Sequence, residues 1–226
     1  MSRLYLVRHC EAEGNKLRIF QGHIDSDITD NGKKQLESLA QRFSTIPLDA
    51  VWASPLLRAR KTAEAVNYYH QLSIQFDDDL KEINGGCWEG KSWTELPSIY
   101  PQMSDDWLHR PWLFSPDNGE TMCCVYKRIS QAIVRIASLH PDQNIAIVTH
   151  GCAIRNALCW ARNWPIEQLN NVEWCDNTAI SVVEVDSSGQ PKLIDENDSS
   201  HLSQQTSTFE KQSWWRKENQ KVGDIW

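Results

Sequence analysis

Short apolar runs alternate with longer amphipathic stretches along most of this chain. The runs at residues 3–8, 50–53 and 144–149 are almost continuously apolar, which is typical of strands in a parallel sheet that is covered on both faces. A further short strand is predicted at residues 74–76. Helical patterns fall between the runs, so the pattern predicts an α/β protein.

Three stretches between the strands carry apolar residues at helical spacing. One covers residues 29–43 and begins with a threonine that can cap it. The second follows Ser54 and Pro55, an N-cap and first-turn pair that would put Arg58 in the first turn. The longest covers residues 119–139. Each is expected to lay its apolar face on the sheet.

The C-terminal third predicts one more strand pair and then a tail. Residues 177–185 and 191–195 favour two strands that are joined by a turn. We predict one domain over residues 1–196 and a polar, partly ordered tail over residues 197–226, which the pair Trp214-Trp215 could anchor. Within the domain, residues 86–118 contain several prolines and tryptophans; we predict an irregular lid or pocket insertion there, with residues 91–118 lacking regular structure.

Composition excludes several classes of function. The net charge of −7 repels nucleic acid and anionic membranes, so neither is an expected partner. No apolar run is long enough to cross a bilayer, and the N-terminus lacks the apolar core of a signal peptide. The seven cysteines include no C-x-x-C pair of metal-site spacing. We therefore expect a cytoplasmic protein with reduced thiols.

Polar residues follow three of the predicted strands at the point where each strand ends. Arg8 and His9 end the first, Arg58 follows the second, and His150 ends the third. In open α/β sheets, ligands bind beyond the carboxyl ends of the strands. If these strands are parallel neighbours, two imidazoles and two guanidiniums meet there, which predicts a site for a phosphate group.

The same residues carry a resemblance to a known family. The chain contains, in order, the segments R-H-C-E-A-E-G-N, Q-G-H-I-D, S-P-L-L-R-A-R-K-T-A, E-I-N-G-G-C-W-E-G, G-E-T and T-H-G. This ordered set, spread over residues 3–185, resembles the histidine phosphatase superfamily, which is also called phosphoglycerate mutase-like. The resemblance implies a three-layer α/β/α sandwich around a mostly parallel sheet and a phosphatase that acts on a small phosphomonoester.

The resemblance also implies roles for individual residues. His9 would be the nucleophile that accepts the phosphoryl group, and Glu82 would give a proton to the leaving alcohol. The phosphate oxygens would be held by Arg8, Asn15, Arg58 and His150. Further substrate-binding residues implied by the motifs are Gln21, Gly22, His23, Gly151 and Cys152. This scheme needs no metal and no cofactor, and the protein is expected to be a monomer or a homodimer.

Three other functions compete with this hypothesis. A phosphoglycerate mutase shares the histidines, arginines and glutamate, but the segment G-C-W-E-G is more typical of the phosphatases. A phosphate-binding regulator without activity would not need Glu82. The cysteine phosphatase signature H-C-x5-R is broken because Lys16 stands at its arginine position.

Two features of the site are particular to this chain. Cys10 replaces the usual glycine of the family beside the presumed nucleophile, where oxidation of the thiol could block the pocket. The outer wall is expected from residues 86–118 and the loop after Gln21. Candidates to touch the alcohol portion of the substrate are His23, Trp88, Trp107, His109 and Arg110.

Overall fold

A computed structural model describes residues 1–212 of the chain. The strands are β1 (Ser2–Arg8), β2 (Ala50–Ala53), β3 (Ile74–Phe76), β4 (Asn144–Thr149), β5 (Ile180–Val185) and β6 (Pro191–Asp198). The α-helices are α1 (Glu13–Lys16), α2 (Asp30–Phe43), α3 (Leu57–Val66), α4 (Leu96–Ile99), α5 (Pro101–His109), α6 (Met122–Leu139), α7 (Gly151–Ala161) and α8 (Thr208–Lys211). Short 3₁₀ helices lie at Asp78–Leu80, Gly86–Trp88, Pro111–Leu113 and Ile166–Asn171.

The six strands form one sheet in the order β3-β2-β4-β1-β5-β6. Strands β3, β2, β4 and β1 are parallel to one another, and β5 and β6 add two antiparallel pairings at one side. The predicted α/β architecture around a mostly parallel sheet is confirmed. Because β2, β4 and β1 are adjacent, the polar residues that follow them come together at one edge.

Alternate residues of the central strands point to two cores, one on each face of the sheet. Leu4 and Leu6 of β1 pack with Ile133 and Ile136 of α6. Val7 faces the other way and belongs to the cluster that α2 and α3 complete. The period of two along a strand thus places one helical layer on each side of the sheet, which gives the three layers.

One of the two predicted helix caps, Thr29, is confirmed. The Thr29 hydroxyl accepts the Gly32 N–H at 2.9 Å at the start of α2, and the Thr121 hydroxyl accepts the Cys124 N–H at 3.2 Å at the start of α6. The prediction that Ser54 caps α3 was wrong. The helix begins at Leu57, with the extended residue Leu56 as its N-cap. The Ser54 hydroxyl instead lies 2.7 Å from His150 Nε2 and accepts the Leu56 N–H at 3.3 Å.

The segment 91–118 is not irregular, contrary to our prediction. It contains α4, α5 and a 3₁₀ helix, and Pro97, Pro101 and Pro111 each lie in the first turn of one of them. Proline is tolerated there because first-turn N–H groups have no partner within the helix. The same prolines that suggested broken structure therefore mark helix starts.

The chain after β6 packs back onto the domain as far as residue 212. Ser207 and Thr208 are buried, and α8 follows the serine, whose hydroxyl accepts the Glu210 N–H. The division at residue 196 stays a prediction, and the suggested anchor Trp214-Trp215 lies outside the described residues. In the part of the chain that the structure describes, no helix has the length and apolar character needed to cross a membrane.

Candidate active site

The two histidines predicted at strand ends are brought together by the sheet. Strands β1 and β4 pair in parallel with Arg8 opposite Thr149, so His9 and His150 are the next residues along two adjacent strands. Their ring centroids lie 5.1 Å apart. Arg58 enters from the first turn of α3, which follows the neighbouring strand β2.

The imidazole of His9 is held as a neutral base. Its Nδ1 lies 2.7 Å from the Cys10 carbonyl oxygen, so Nδ1 carries the proton and donates it there. The lone pair is therefore on Nε2. Burial, together with the charges of Arg58 and Arg8, lowers the pKa of His9 well below 6.5. At neutral pH the ring is thus uncharged, which a nitrogen nucleophile requires.

The two guanidiniums beside His9 are fixed by backbone carbonyls. Arg8 donates to the Cys175 carbonyl from Nη1. Arg58, only 1% exposed, donates from Nη1 to Ile24 and from Nη2 to Gly22, each at 2.8 Å. Burial lowers the pKa of Arg58 to about 10, which still leaves it cationic at neutral pH. Two fixed positive charges at a buried site favour an anion.

Glu82 lies at the N-terminus of α7. Its carboxylate accepts the backbone N–H groups of Ile83, Cys152 and Ala153 at 2.9, 3.1 and 3.2 Å. Its own carbonyl oxygen lies 2.9 Å from His23 Nε2 and accepts Arg128 Nη2 at 3.0 Å. Both ends of the residue are therefore held, and the carboxyl group stays near the helix terminus.

His150 lies beneath this arrangement and is fully buried. Its Nε2 is 2.7 Å from the Ser54 hydroxyl oxygen. Burial, followed by the charge of Arg58, lowers the pKa of His150 well below 6.5. A second neutral imidazole therefore supports the first.

A cleft with a volume of about 120 Å³ opens above these residues. Its polar floor is formed by Arg8, His9, Asn15, Arg58 and Glu82. Its aromatic wall is formed by Trp93, Trp107, Trp174 and Phe209. A cavity needs about 10–15 Å³ to hold one buried water, so this cleft has room for a small metabolite rather than for a single ion.

Comparison with known sequences decides the family. The sequence pattern of the histidine phosphatase superfamily (branch 1) matches residues 4–198. This chain belongs to that superfamily.

Relatives of this histidine phosphatase agree over most of its length. It is 31% identical over 186 residues to phosphoserine phosphatase 1 of Hydrogenobacter thermophilus, covering 82% of this chain and 88% of that protein. It is 31% identical over 152 residues to the adenosylcobalamin/alpha-ribazole phosphatase of Escherichia coli, covering 66% of this chain and 73% of that protein. The solved structure of Bacillus stearothermophilus YhfR superimposes with a TM-score of 0.85 and 32% identity, covering 90% of this chain and all of that one.

Most residues predicted for the site of this histidine phosphatase line the cleft. They are Arg8, His9, Asn15, Gln21, Arg58, Glu82, Gly151 and Cys152. The other three lie behind it. Gly22, at φ +51°, offers its carbonyl to Arg58; His23 contacts the Glu82 backbone; and His150 contacts Ser54. These positions hold the lining residues in place.

The predicted outer wall is only partly correct. Trp107 lines the cleft, but Trp88 is fully buried against other rings, and His109 and Arg110 pair with Asp105 away from the cleft. Arg18, Ile19 and Phe20, which lie between two of the motifs, were missed, and so were Trp174 and Phe209. Both come from segments after the last motif, so no local signal placed them here.

The Cys10 thiol does not face the cleft. It is fully buried and near Gly32, at whose position an added Cβ would lie 3.4 Å from the sulfur. Burial raises the pKa of this thiol to about 12. The cysteine therefore replaces the family's glycine without occupying the substrate's space. Within residues 1–212, no group of three or more His, Cys, Asp or Glu side chains is arranged to hold a metal ion.

Proposed function

We propose that this protein hydrolyses a small phosphomonoester through a covalent phosphohistidine on His9. The observation that carries the proposal is the state of the His9 ring. It is uncharged, its Nδ1–H is held by a carbonyl, and the positive charges of Arg8 and Arg58 act on the ring. The relatives named as phosphatases support hydrolysis as the overall reaction.

The first half-reaction transfers the phosphoryl group to His9. Nε2 attacks phosphorus, and the bond from phosphorus to the alcohol oxygen breaks. Negative charge spread over the equatorial oxygens is stabilised by the two guanidiniums, which are fixed before the substrate arrives. Asn15 lines the cleft, and its side-chain carbonyl accepts the Ala12 N–H at 3.0 Å, which leaves its amide NH₂ to donate to an oxygen.

Glu82 supplies the proton that the departing alkoxide needs. Its carboxyl group lines the cleft beside the phosphate site and is held by three backbone N–H groups. In the second half-reaction water attacks the phosphohistidine, and Glu82 takes the proton back. We propose that His150 acts from behind the cleft, together with Ser54, by keeping the floor rigid and uncharged.

A phosphoglycerate mutase is the second candidate, and the relatives favour it less. A mutase must return the phosphoryl group to a substrate faster than water removes it.

Seven free cysteines support our further proposal of a reducing, cytoplasmic location. Whether the protein is a monomer or a homodimer stays a prediction.

The test compares wild type with His9→Ala and with a matched control, His109→Ala. His109 is exposed and lies outside the cleft lining. We expect His9→Ala to lose activity on p-nitrophenyl phosphate by at least about 10³-fold, since the nucleophile is removed, while the control keeps it. An acid-labile phosphoryl group should be trapped on wild type alone. Equal rates for His9→Ala and wild type would contradict the mechanism. With 3-phosphoglycerate as substrate, formation of 2-phosphoglycerate without release of phosphate would establish the mutase.

A further inference from the structure

The wall opposite the phosphate floor is built from aromatic rings. The ring centroids of Trp93 and Trp107 lie 5.7 Å apart, and those of Trp107 and Trp174 lie 6.1 Å apart with an angle of 29° between the planes. The Arg155 guanidinium lies 4.2 Å from the Trp174 ring centroid, which fixes that ring from one side. The rings of this wall are therefore held in place by contacts with one another and with Arg155.

Trp174 lies close to the Arg8 side of the phosphate floor. Gly151 lies between them, because a Cβ added there would be 3.3 Å from Arg8 Nε and 3.5 Å from the Trp174 ring. A phosphate held by Arg8 therefore has the Trp174 ring as its near neighbour. An alcohol group that extends from such a phosphate past Gly151 would meet this aromatic wall.

The outer end of the wall is supplied by the C-terminal segment. Phe209 lines the cleft, and the two residues before it are anchored by buried carboxylates. Ser207 donates to Asp176, and Thr208 donates to Glu11 at 3.0 Å. Because Glu11 belongs to the loop that follows His9, the segment holds Phe209 in a fixed relation to the nucleophile.

The lining within residues 1–212 offers one carboxylate to a cationic substituent on the alcohol. Among the residues that the structure describes, the lining contains three arginines, Arg8, Arg18 and Arg58, and a single carboxylate, Glu82. That carboxylate already accepts three backbone N–H groups. An ammonium group on the alcohol, such as that of phosphoserine, would therefore find no second carboxylate among the described residues of this lining.

We propose that the leaving-group subsite, formed by Trp93, Trp107, Trp174 and Phe209, takes a planar, uncharged aromatic or heteroaromatic group on the alcohol. This inference rests on the proposed function and names its substrate class. Stacking on ordered rings selects such a group, and the lining, as far as the structure describes the chain, has no second carboxylate to pair with an amine.

The experiment compares esters that share a primary alcohol as leaving group, so that leaving-group acidity does not decide the result. We expect kcat/KM for 2-naphthylmethyl phosphate to exceed that for phosphoserine and for glycerol 3-phosphate by roughly 10- to 100-fold, the range that one stacked aromatic group supplies. Phosphocholine tests the competing use of an aromatic wall, which is recognition of a quaternary ammonium. A preference for phosphocholine, phosphoserine or glycerol 3-phosphate overturns the proposal.

Matched variants locate the preference in the wall. Trp174→Leu and Phe209→Ala should each lower the ratio of kcat/KM for 2-naphthylmethyl phosphate to kcat/KM for glycerol 3-phosphate by about 5-fold or more. The controls are Trp164→Leu, whose ring also lies against an arginine, and the exposed Phe76→Ala. If both wall variants keep wild-type selectivity, the subsite is wrong. If activity still depended on His9 in that case, the phosphatase proposal would stand although the subsite proposal had failed.

Discussion

Replacing Glu82 by glutamine removes the proton donor while keeping the shape of the side chain. The carboxylate accepts N–H groups from Ile83, Cys152 and Ala153, and a glutamine oxygen can keep two of them. The third N–H then faces an amide NH₂. One lost hydrogen bond costs about 1 kcal/mol, and a lost charge at the α7 N-terminus about 0.3–1 kcal/mol. The variant should therefore fold, because domains are stable by about 5–15 kcal/mol.

The chemical effect should depend on the leaving group. Glycerol 3-phosphate releases a poor alkoxide, so Glu82→Gln should slow its first turnover by about 10²–10⁴-fold, or about 2.7–5.5 kcal/mol. p-Nitrophenolate departs without a proton. Its burst, which reports phosphorylation of His9 alone, should slow by less than about 10-fold.

Rapid-quench measurement of both first turnovers is the assay. Asp186→Asn is the matched control, since the Asp186 carboxylate also accepts three donors, from Ser188 and Gln190 in the β5–β6 turn, far from the cleft. It should leave both rates unchanged. Equal slowing of the two esters by Glu82→Gln would refute the assignment of Glu82 as proton donor and leave it a structural role.

Two further predictions concern the pH dependence of stability and the role of Arg128. Burial, followed by the charge of Arg58, lowers the pKa of His9 and of His150 well below 6.5. As the pH falls, the unfolded chain therefore binds protons at these rings before the folded protein does. The free energy of unfolding should be highest above about pH 6.5 and should fall below it by up to about 1.4 kcal/mol per pH unit for each ring. Urea unfolding at about pH 7.5 and about pH 5 should show that His150→Gln loses less free energy of unfolding between the two pH values than wild type does. An equal loss in the two proteins would argue against the buried neutral ring. Arg128→Met breaks a partly buried ion pair and removes a donor to the Glu82 carbonyl. It should lower the free energy of unfolding by about 3 kcal/mol, and it should change kcat more than KM. The control Arg135→Met, on the same helix, should lower the free energy of unfolding by less than about 1 kcal/mol. Similar losses for the two variants would contradict the role of Arg128.

Much of the fold could be predicted because its signals are local. Strands β2 and β4 and helix α2 have the predicted bounds, and α6 ends where predicted. A buried strand needs an apolar run, and a helix needs a cap and a periodic face; both are encoded by adjacent residues. Ser54 shows the limit of such signals. Its sequence is a helix start, but a contact with His150, which is distant in the chain, engages its hydroxyl instead.

The sequence by itself determined the α/β class, the family, and the polar residues that meet at the strand ends, because parallel neighbouring strands bring their ends together whatever the details of packing. Only the tertiary structure decided what surrounds them. Trp174 and Phe209 reach the cleft from segments without a motif, and His150 supports the floor rather than lining it. Long-range contacts of this kind depend on how three layers pack, which no local periodicity records. The chemistry of this site is therefore readable from the chain, whereas the wall that meets the alcohol is a property of the fold.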